Sequence, residues 1–345
     1  MVSVTISGSG SVLAPHEVET SELIKYAKLD RFGISPNIIF ERMGITHVRH
    51  ADDSVLPGDL ATEAAKKAIT ASGIPANEID MILYTGIERN CTEPATAHFI
   101  ANDIGIDPKR LQYCWDMSNA CHGFTAGILT ARKFLKDQDE GDRIRNVLVC
   151  TGERSSGKTK VICEDFRNGR IGADRVQDTL GAFTVGDAGG AMVLSQCESD
   201  KGIKAISNSN NPRFAGLCLY QDFGADRGVK PIYAMKMPQI CARTKRIIKR
   251  ISPVILNRLG WGASDIDHGI FHQVGKRVHK DWLDIVGIEE ARAPSTYAKW
   301  GNLASANLPV IWDMLDTKGA IKPGDNVFVV SAGSGISVTM LGITR

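Results

Sequence analysis

An internal echo constrains the fold of this chain more than any single residue does. Residues 76–85 (ANEIDMILYT) are matched later by residues 263–272 (ASDIDHGIFH), each an acidic turn feeding a short apolar run. Residues 146–152 (NVLVCTG) are matched by residues 326–333 (NVFVVSAG), and each follows a Gly-Asp turn. Apolar runs of this length bounded by turn residues read as buried strands. Between them, residues 60–72, 121–136, 238–259 and 304–318 carry apolar side chains at three- and four-residue spacing, the pattern of amphipathic helices. Strands alternating with such helices predict an α/β fold with buried, largely parallel sheets, in two related halves, residues 1–195 and 196–345. At 345 residues and 43% hydrophobic, the chain can bury a core of that size.

The charge balance, 41 basic against 39 acidic residues, asks for neither a nucleic acid nor a membrane surface, so any basic site must be local. Residues 1–8 alternate like a strand and lack the basic start and apolar stretch of a signal peptide, and no apolar run reaches membrane-spanning length. Eight cysteines with no CxxC and no regular spacing read as reduced thiols of a cytoplasmic protein. No ligand set for a metal is evident.

Among those cysteines Cys121 has a distinctive setting, after an apolar run (residues 111–115) and at the start of a helix marked by Phe124, Ile128, Ala131 and Leu135. The free N–H groups at a helix N-terminus favour a thiolate, which makes Cys121 a candidate nucleophile. Cys91, Cys114, Cys150, Cys163, Cys197, Cys218 and Cys241 lie in strands or polar loops and read as small apolar residues. His272 ends a short apolar strand, and Asn302 stands in a Gly-Asn turn opening a helix. Strand ends in α/β sheets are where reacting side chains collect, although a lone histidine there is more often structural.

Taken together these segments resemble the ketoacyl synthase III family, nearly end to end. Residues 41–45 (ERMGI) are similar to that family's Arg-Thr-Gly-Ile segment, and residues 119–124 (NACHGF) to its nucleophile motif. Residues 186–191 (GDAGGA) resemble its glycine-rich hairpin, His272-Gln273 its His-Gln-Ala-Asn, residues 301–306 (GNLASA) its Gly-Asn-Thr-Ser-Ala, and residues 332–335 (AGSG) its last strand. The resemblance implies a duplicated, five-layered αβαβα thiolase fold and a homodimer. It implies an acyltransferase in which Cys121, His272 and Asn302 are catalytic, the acyl group being carried on Cys121 as a thioester. An acyl-CoA or acyl carrier protein would supply that group, and a malonyl-type or other carrier-bound acceptor would condense with it. His272 and Asn302 would stabilise the enolate, and the backbone N–H groups of Cys121 and Ser334 would form the oxyanion hole. No tightly bound cofactor is implied; CoA or a phosphopantetheine thioester enters as substrate. Acyl transfer to an oxygen or nitrogen acceptor, without decarboxylation, is the alternative, and retention of Asn302 favours condensation.

Some positions depart from the family pattern. The tryptophan that relatives stack on the CoA adenine is Ile38 here, the asparagine expected after His-Gln is Gly275, and His122 follows the nucleophile. Arg42 and Arg277 are expected to bind the substrate or its carrier. Glu88 and Cys91 are expected to shape the acyl site; His122, next to the nucleophile, is expected either to contact the substrate or to point away and cap a hydrogen-bond network, and the polarity of residues 88–93 (ERNCTE) predicts a polar acyl group and specialised metabolism. Arg243, Lys245, Arg246, Lys249 and Arg250, with Lys276 and Lys280, offer a basic face to an acidic carrier.

Three rival readings remain. Residues 152–159 (GERSSGKT) satisfy the phosphate-loop pattern GxxxxGK[ST] after a strand, with Lys158 and Thr159 as phosphate and magnesium ligands. Against it, the following residues show no clear amphipathic helix; residues 155–179 read as a polar surface excursion. A papain-like hydrolase also uses Cys, His and Asn, but not on a duplicated α/β pattern. A non-catalytic partner subunit of a heterodimer is disfavoured by the presence of Cys121, His272 and Asn302 together.

Overall fold

The computed structural model describes residues 3–139, 141–198, 200–221 and 232–345; Met1 and Val2 of the expected first strand lie outside the described residues. Two mixed sheets form its frame. The first runs Ser3–Leu13, Ala188–Cys197, Asn146–Glu153, Met81–Tyr84, Tyr113–Asp116, and the second Gly202–Phe214, Gly335–Thr344, Asn326–Gly333, His268–Phe271. The echoed segments take equivalent places: Asn146–Glu153 and Asn326–Gly333 each have a parallel neighbour on one side and an antiparallel one on the other. Internal duplication is thus visible in the register as well as in the residues.

The sheets are not largely parallel as expected. Met81–Tyr84 pairs in parallel with both neighbours and His268–Phe271 with its one, but every other pairing within the two main sheets is antiparallel. Each half finishes on a strand that returns beside its own central strand, and that return must be antiparallel.

Five layers follow from where the apolar faces go. Helices Gly123–Lys136 and Asn307–Thr317 lie between the sheets; their Phe124, Ile128, Ile311 and Trp312 join Leu83 and Val149 of one sheet and Val329 and Leu341 of the other in a single core. Helix Pro57–Ser72 covers the outer face of the first sheet, and helices Met237–Leu259 and Lys276–Val286 that of the second. Glycine permits the closest approach: a Cβ on Gly152 would meet the carbonyl oxygen of Pro57 at 1.8 Å.

The polar stretch after the central strand also departs from expectation. Residues Ser156–Arg167 form a helix whose Ser156, Thr159, Ile162, Cys163 and Phe166 are buried, and Val176–Thr179 forms a second, short one. Small polar residues on the inward face, set among lysines and arginines, hide the helical period. Phe166 is fully buried with Ile24, Leu29 and Phe183 and meets Phe32 edge-on at 6.2 Å. Phe166→Ala is expected to destabilise the protein by about 3–5 kcal/mol in urea unfolding; a change within ~0.5 kcal/mol would mean that this segment does not belong to the core.

Candidate active site

Cys121 stands one residue before the cap of helix Gly123–Lys136, on a loop that leaves strand Tyr113–Asp116. The preceding Ala120 is held at φ 48°, and Ala304, two residues after Asn302, at φ 49°. Non-glycine residues adopt this left-handed conformation at a cost of roughly 1–3 kcal/mol, and such strain collects where side chains must be aimed. Around Ala120 the loop is tied by His122 N–H to the Asn119 carbonyl at 3.0 Å and Gly123 N–H to the Ala120 carbonyl at 2.9 Å.

His272 follows strand His268–Phe271 and is buried, its backbone N–H on the Val330 carbonyl at 2.9 Å. Asn307, which the sequence reading passed over, connects it to Asn302. The Asn307 side-chain amide lies 3.1 Å from His272 Nδ1 and donates to Asn302 Oδ1 at 3.0 Å. Asn302 Oδ1 also accepts the Ala304 backbone N–H at 3.0 Å, which fixes the amide's orientation and leaves Asn302 Nδ2 for the cavity. Because Asn307 donates to Nδ1, the network assigns the His272 proton to Nε2. Burial, assisted by His122, lowers the His272 pKa to about 4, so the ring is a neutral hydrogen-bond donor rather than a cation at neutral pH.

Cys121, His272, Asn302 and Ser334 line one cavity of about 60 Å³, whose remaining walls include Met235, Ile240, Val278 and Trp282. It is apolar. A larger groove of about 1070 Å³ adjoins it, shares Met237, Cys241, Val274 and Val278 with it, and carries Arg42, Lys276, Arg277 and Lys280. The expected pair Arg42 and Arg277 is therefore brought together, Arg42 donating to Gln177 Oε1 at 2.7 Å.

The other candidates lie elsewhere. His122 turns away from the cavity: Asn119 Nδ2 lies 3.1 Å from its Nδ1, and its Nε2 lies 2.6 Å from Thr339 Oγ1, so it ties the nucleophile loop to strand Gly335–Thr344. Glu88 forms a 2.5 Å ion pair with Lys158 beside a separate cavity of about 510 Å³. Cys91 is exposed, its thiol on the Glu93 carbonyl. Cys218, read as an inert thiol, instead lines the Cys121 cavity with Cys241 and Ser334.

Helix position alone does not make Cys121 a thiolate. Burial, then Cys218 and Glu153, push its thiol up to about 12, and Lys158 opposes them only in part. The rival phosphate loop does gain the helix it was thought to lack, but its anion positions are taken. The Ser156 N–H donates to Asp187 Oδ1 at 2.8 Å, the Arg154 N–H to Glu88 Oε2 at 3.1 Å, and Lys158 is neutralised by Glu88. Phosphate there would meet carboxylates.

Two models of one family match the chain, 3-oxoacyl-[acyl-carrier-protein] synthase III over residues 115–211 and its C-terminal domain over residues 256–344. Acyl-CoA:acyl-CoA alkyltransferases from Xanthomonas campestris and Shewanella oneidensis are 25% and 29% identical, covering 98% and 99% of this chain and 97% and 98% of theirs. A beta-ketoacyl-[acyl-carrier-protein] synthase III of Bacillus cereus is 26% identical over 97% of each chain. The crystal structure of Xanthomonas campestris OleA with lauric acid and lauroyl-CoA superposes with a TM-score of 0.90 at 23% identity, over 99% of both chains, which establishes the fold. With both ketoacyl synthase III domains matched in order on a duplicated five-layered frame, the chain belongs to the ketoacyl synthase III-like condensing enzymes of the thiolase superfamily.

Proposed function

We propose that Cys121 takes an apolar acyl group from a CoA thioester and that a second thioester is condensed with it in the same cavity. The observation that carries this reading is the convergence of the Cys121 thiol, a neutral His272 donor and the Asn302 amide on one apolar cavity. A buried neutral imidazole and an amide are suited to hold a developing enolate oxygen, which needs fixed donors however the enolate arises. The backbone N–H groups of Cys121 and Ser334 are the proposed oxyanion hole for the tetrahedral carbon. An apolar lining favours an alkyl chain over the polar acyl group expected from residues 88–93.

Delivery is assigned to the basic groove. Ile38 is buried and unavailable for stacking, whereas Phe40 is 55% exposed on that groove near Arg42, an aromatic face for an adenine. Phosphates on Arg277 and Lys276 would then let pantetheine pass inward past Val274. Leu56, Val161 and Tyr220, exposed around the Glu88 cavity, give the expected homodimer an apolar face.

The acceptor has two sources of enolate: loss of carbon dioxide from a malonyl-type thioester, which needs no base, or removal of an α-proton from a second acyl thioester, which needs a proton acceptor besides the neutral His272 and balances when that proton reaches the Cys121 thiolate released as the carbon–carbon bond forms. The names of the alkyltransferase relatives and the predominantly apolar cavity favour the second. Purified protein given a fatty acyl-CoA alone is expected to release free CoA and form a condensed product. Product formed only when malonyl-CoA or a malonyl carrier is added, with carbon dioxide released, would reverse that choice and keep the condensing assignment.

A further inference from the structure

The mechanism above leaves one proton without a destination. Cys121 must lose its thiol proton when it attacks a thioester, yet its thiol is held neutral by burial, and His272 carries its own proton on the nitrogen that faces the cavity. A second, smaller chamber adjoins the nucleophile and shares Cys121 and His272 with the first. It is lined by Cys121, Thr125, His272, Ser305, Val330 and others, and its volume of about 10 Å³ for the centre of a water gives room for one water molecule. Ser305 packs against the start of the nucleophile helix, where a Cβ on Gly123 would lie 3.7 Å from Ser305 Cβ. Beyond Ser305 is Glu153, the last residue of strand Asn146–Glu153, with no exposed surface.

Glu153 is an unusual group to bury there. Its Oε1 accepts the Ser305 hydroxyl, the Ile87 backbone N–H at 3.1 Å and, more distantly, the Thr151 hydroxyl at 3.4 Å, while its Oε2 is buried with no partner. Thr151 Oγ1 lies 2.5 Å from Ser305 Oγ. With Ser305 donating to Glu153, at least one lone pair of Ser305 Oγ remains for the chamber it shares with Cys121, whether Thr151 donates to Ser305 or to Glu153. A carboxylate held only for structure would have both oxygens satisfied, since an unpaired buried one costs stability.

We propose that Glu153, acting through Ser305, is the proton acceptor for Cys121 during acylation. This inference rests on the assignment of Cys121 as nucleophile. As Sγ bonds to the acyl carbon, the thiol proton passes to Ser305 Oγ, directly or through one water that the chamber has room to admit, and the Ser305 hydroxyl proton passes to Glu153. When the bond from the acyl carbon to the thioester sulfur breaks, the chain runs backwards and protonates the departing thiolate. Free CoA thiol leaves, and Glu153 is again a carboxylate. Burial and the neighbouring Glu88 raise the Glu153 pKa to about 7, against smaller lowering by Ser305, Lys158 and the Ile87 N–H, which suits a group that must take and return a proton near neutrality.

The test is the single-turnover rate of Cys121 acylation, followed by intact-protein mass spectrometry with an acyl-CoA accepted by the wild type. Glu153→Gln keeps the size and the acceptor for Ser305 but is no base; it is expected to slow acylation about 100-fold. Ser305→Ala is expected to slow it similarly, and the double variant no further, because both act on one path. In the wild type the rate should rise with pH through about 7, and in Glu153→Gln that rise should vanish, which a merely structural role would not produce. Glu88, Lys158 and Tyr84 surround Glu153 and are unchanged in both proteins. If Glu153→Gln fails to fold, Ser305→Ala carries the test. Acylation within about threefold of wild type in the folded variants, or the same pH profile without Glu153, would overturn the relay. No adduct even on the wild type with any thioester would instead overturn the nucleophile assignment.

Discussion

Incubation with a fatty acyl-CoA is expected to leave one acyl group on the wild-type protein and none on Cys121→Ser. Removing the nucleophile of a covalent mechanism costs on the order of a million-fold in rate, so the adduct should disappear altogether from an intact mass spectrum. Seven other cysteines make this a demanding control. Cys218 and Cys241 line the same cavity and are within the reach of a bound acyl group, yet burial raises both of their pKa values as it does that of Cys121. What separates Cys121 is its place: the loop with Ala120 at positive φ aims it between the His272 donor and the Ser305 chamber. If the adduct persists in Cys121→Ser and maps to Cys218, the nucleophile has been misassigned and the site must be rebuilt around Cys218, on the same cavity.

Much of this was legible in the residues because duplication and short glycine motifs are written locally. The paired segments 76–85 and 263–272 gave equivalent strands, and Cys121, His272 and Asn302 converge from three separate stretches of chain on one cavity. Other parts depend on contacts that no local pattern records. Asn307 is a polar residue at the head of an apolar helix, a signal that was available, but its link between His272 and Asn302 needs the turn at Ala304. Cys218 reaches the cavity from a strand that pairs with Ile232–Met235, across residues whose sequence has no regular period. At Cys121 two effects oppose each other: a helix terminus favours a thiolate for a group in water, whereas burial here pushes the thiol up. Likewise Glu88 and Lys158 each looked available to a ligand, and each is committed to the other.

Asn302→Ala should separate the two half-reactions. Acylation is expected to survive, because Asn302 touches neither the Cys121 proton path nor the proposed oxyanion hole. Condensation is expected to fall about 100- to 1000-fold, the usual scale for losing one fixed donor to a developing oxyanion. The same substitution removes Oδ1, an acceptor for Asn307, so the amide that holds the His272 tautomer loses one of its anchors and part of the loss will arise through the ring. His272→Ala should therefore be at least as damaging, and the two together should cost less than the product of the single losses. The pH dependence adds a further discriminator. With the His272 pKa lowered to about 4 by burial, the ring stays neutral down to about pH 5, and the condensation step should show no loss from histidine protonation between pH 8 and 5. A condensation rate that falls on the acid side near the ordinary histidine pKa of ~6.5 in Glu153→Gln as well as in the wild type would mean that His272 works as a base. Equal damage to acylation and condensation by Asn302→Ala would mean that the amide shapes the nucleophile loop, and the enolate would then need another pair of donors.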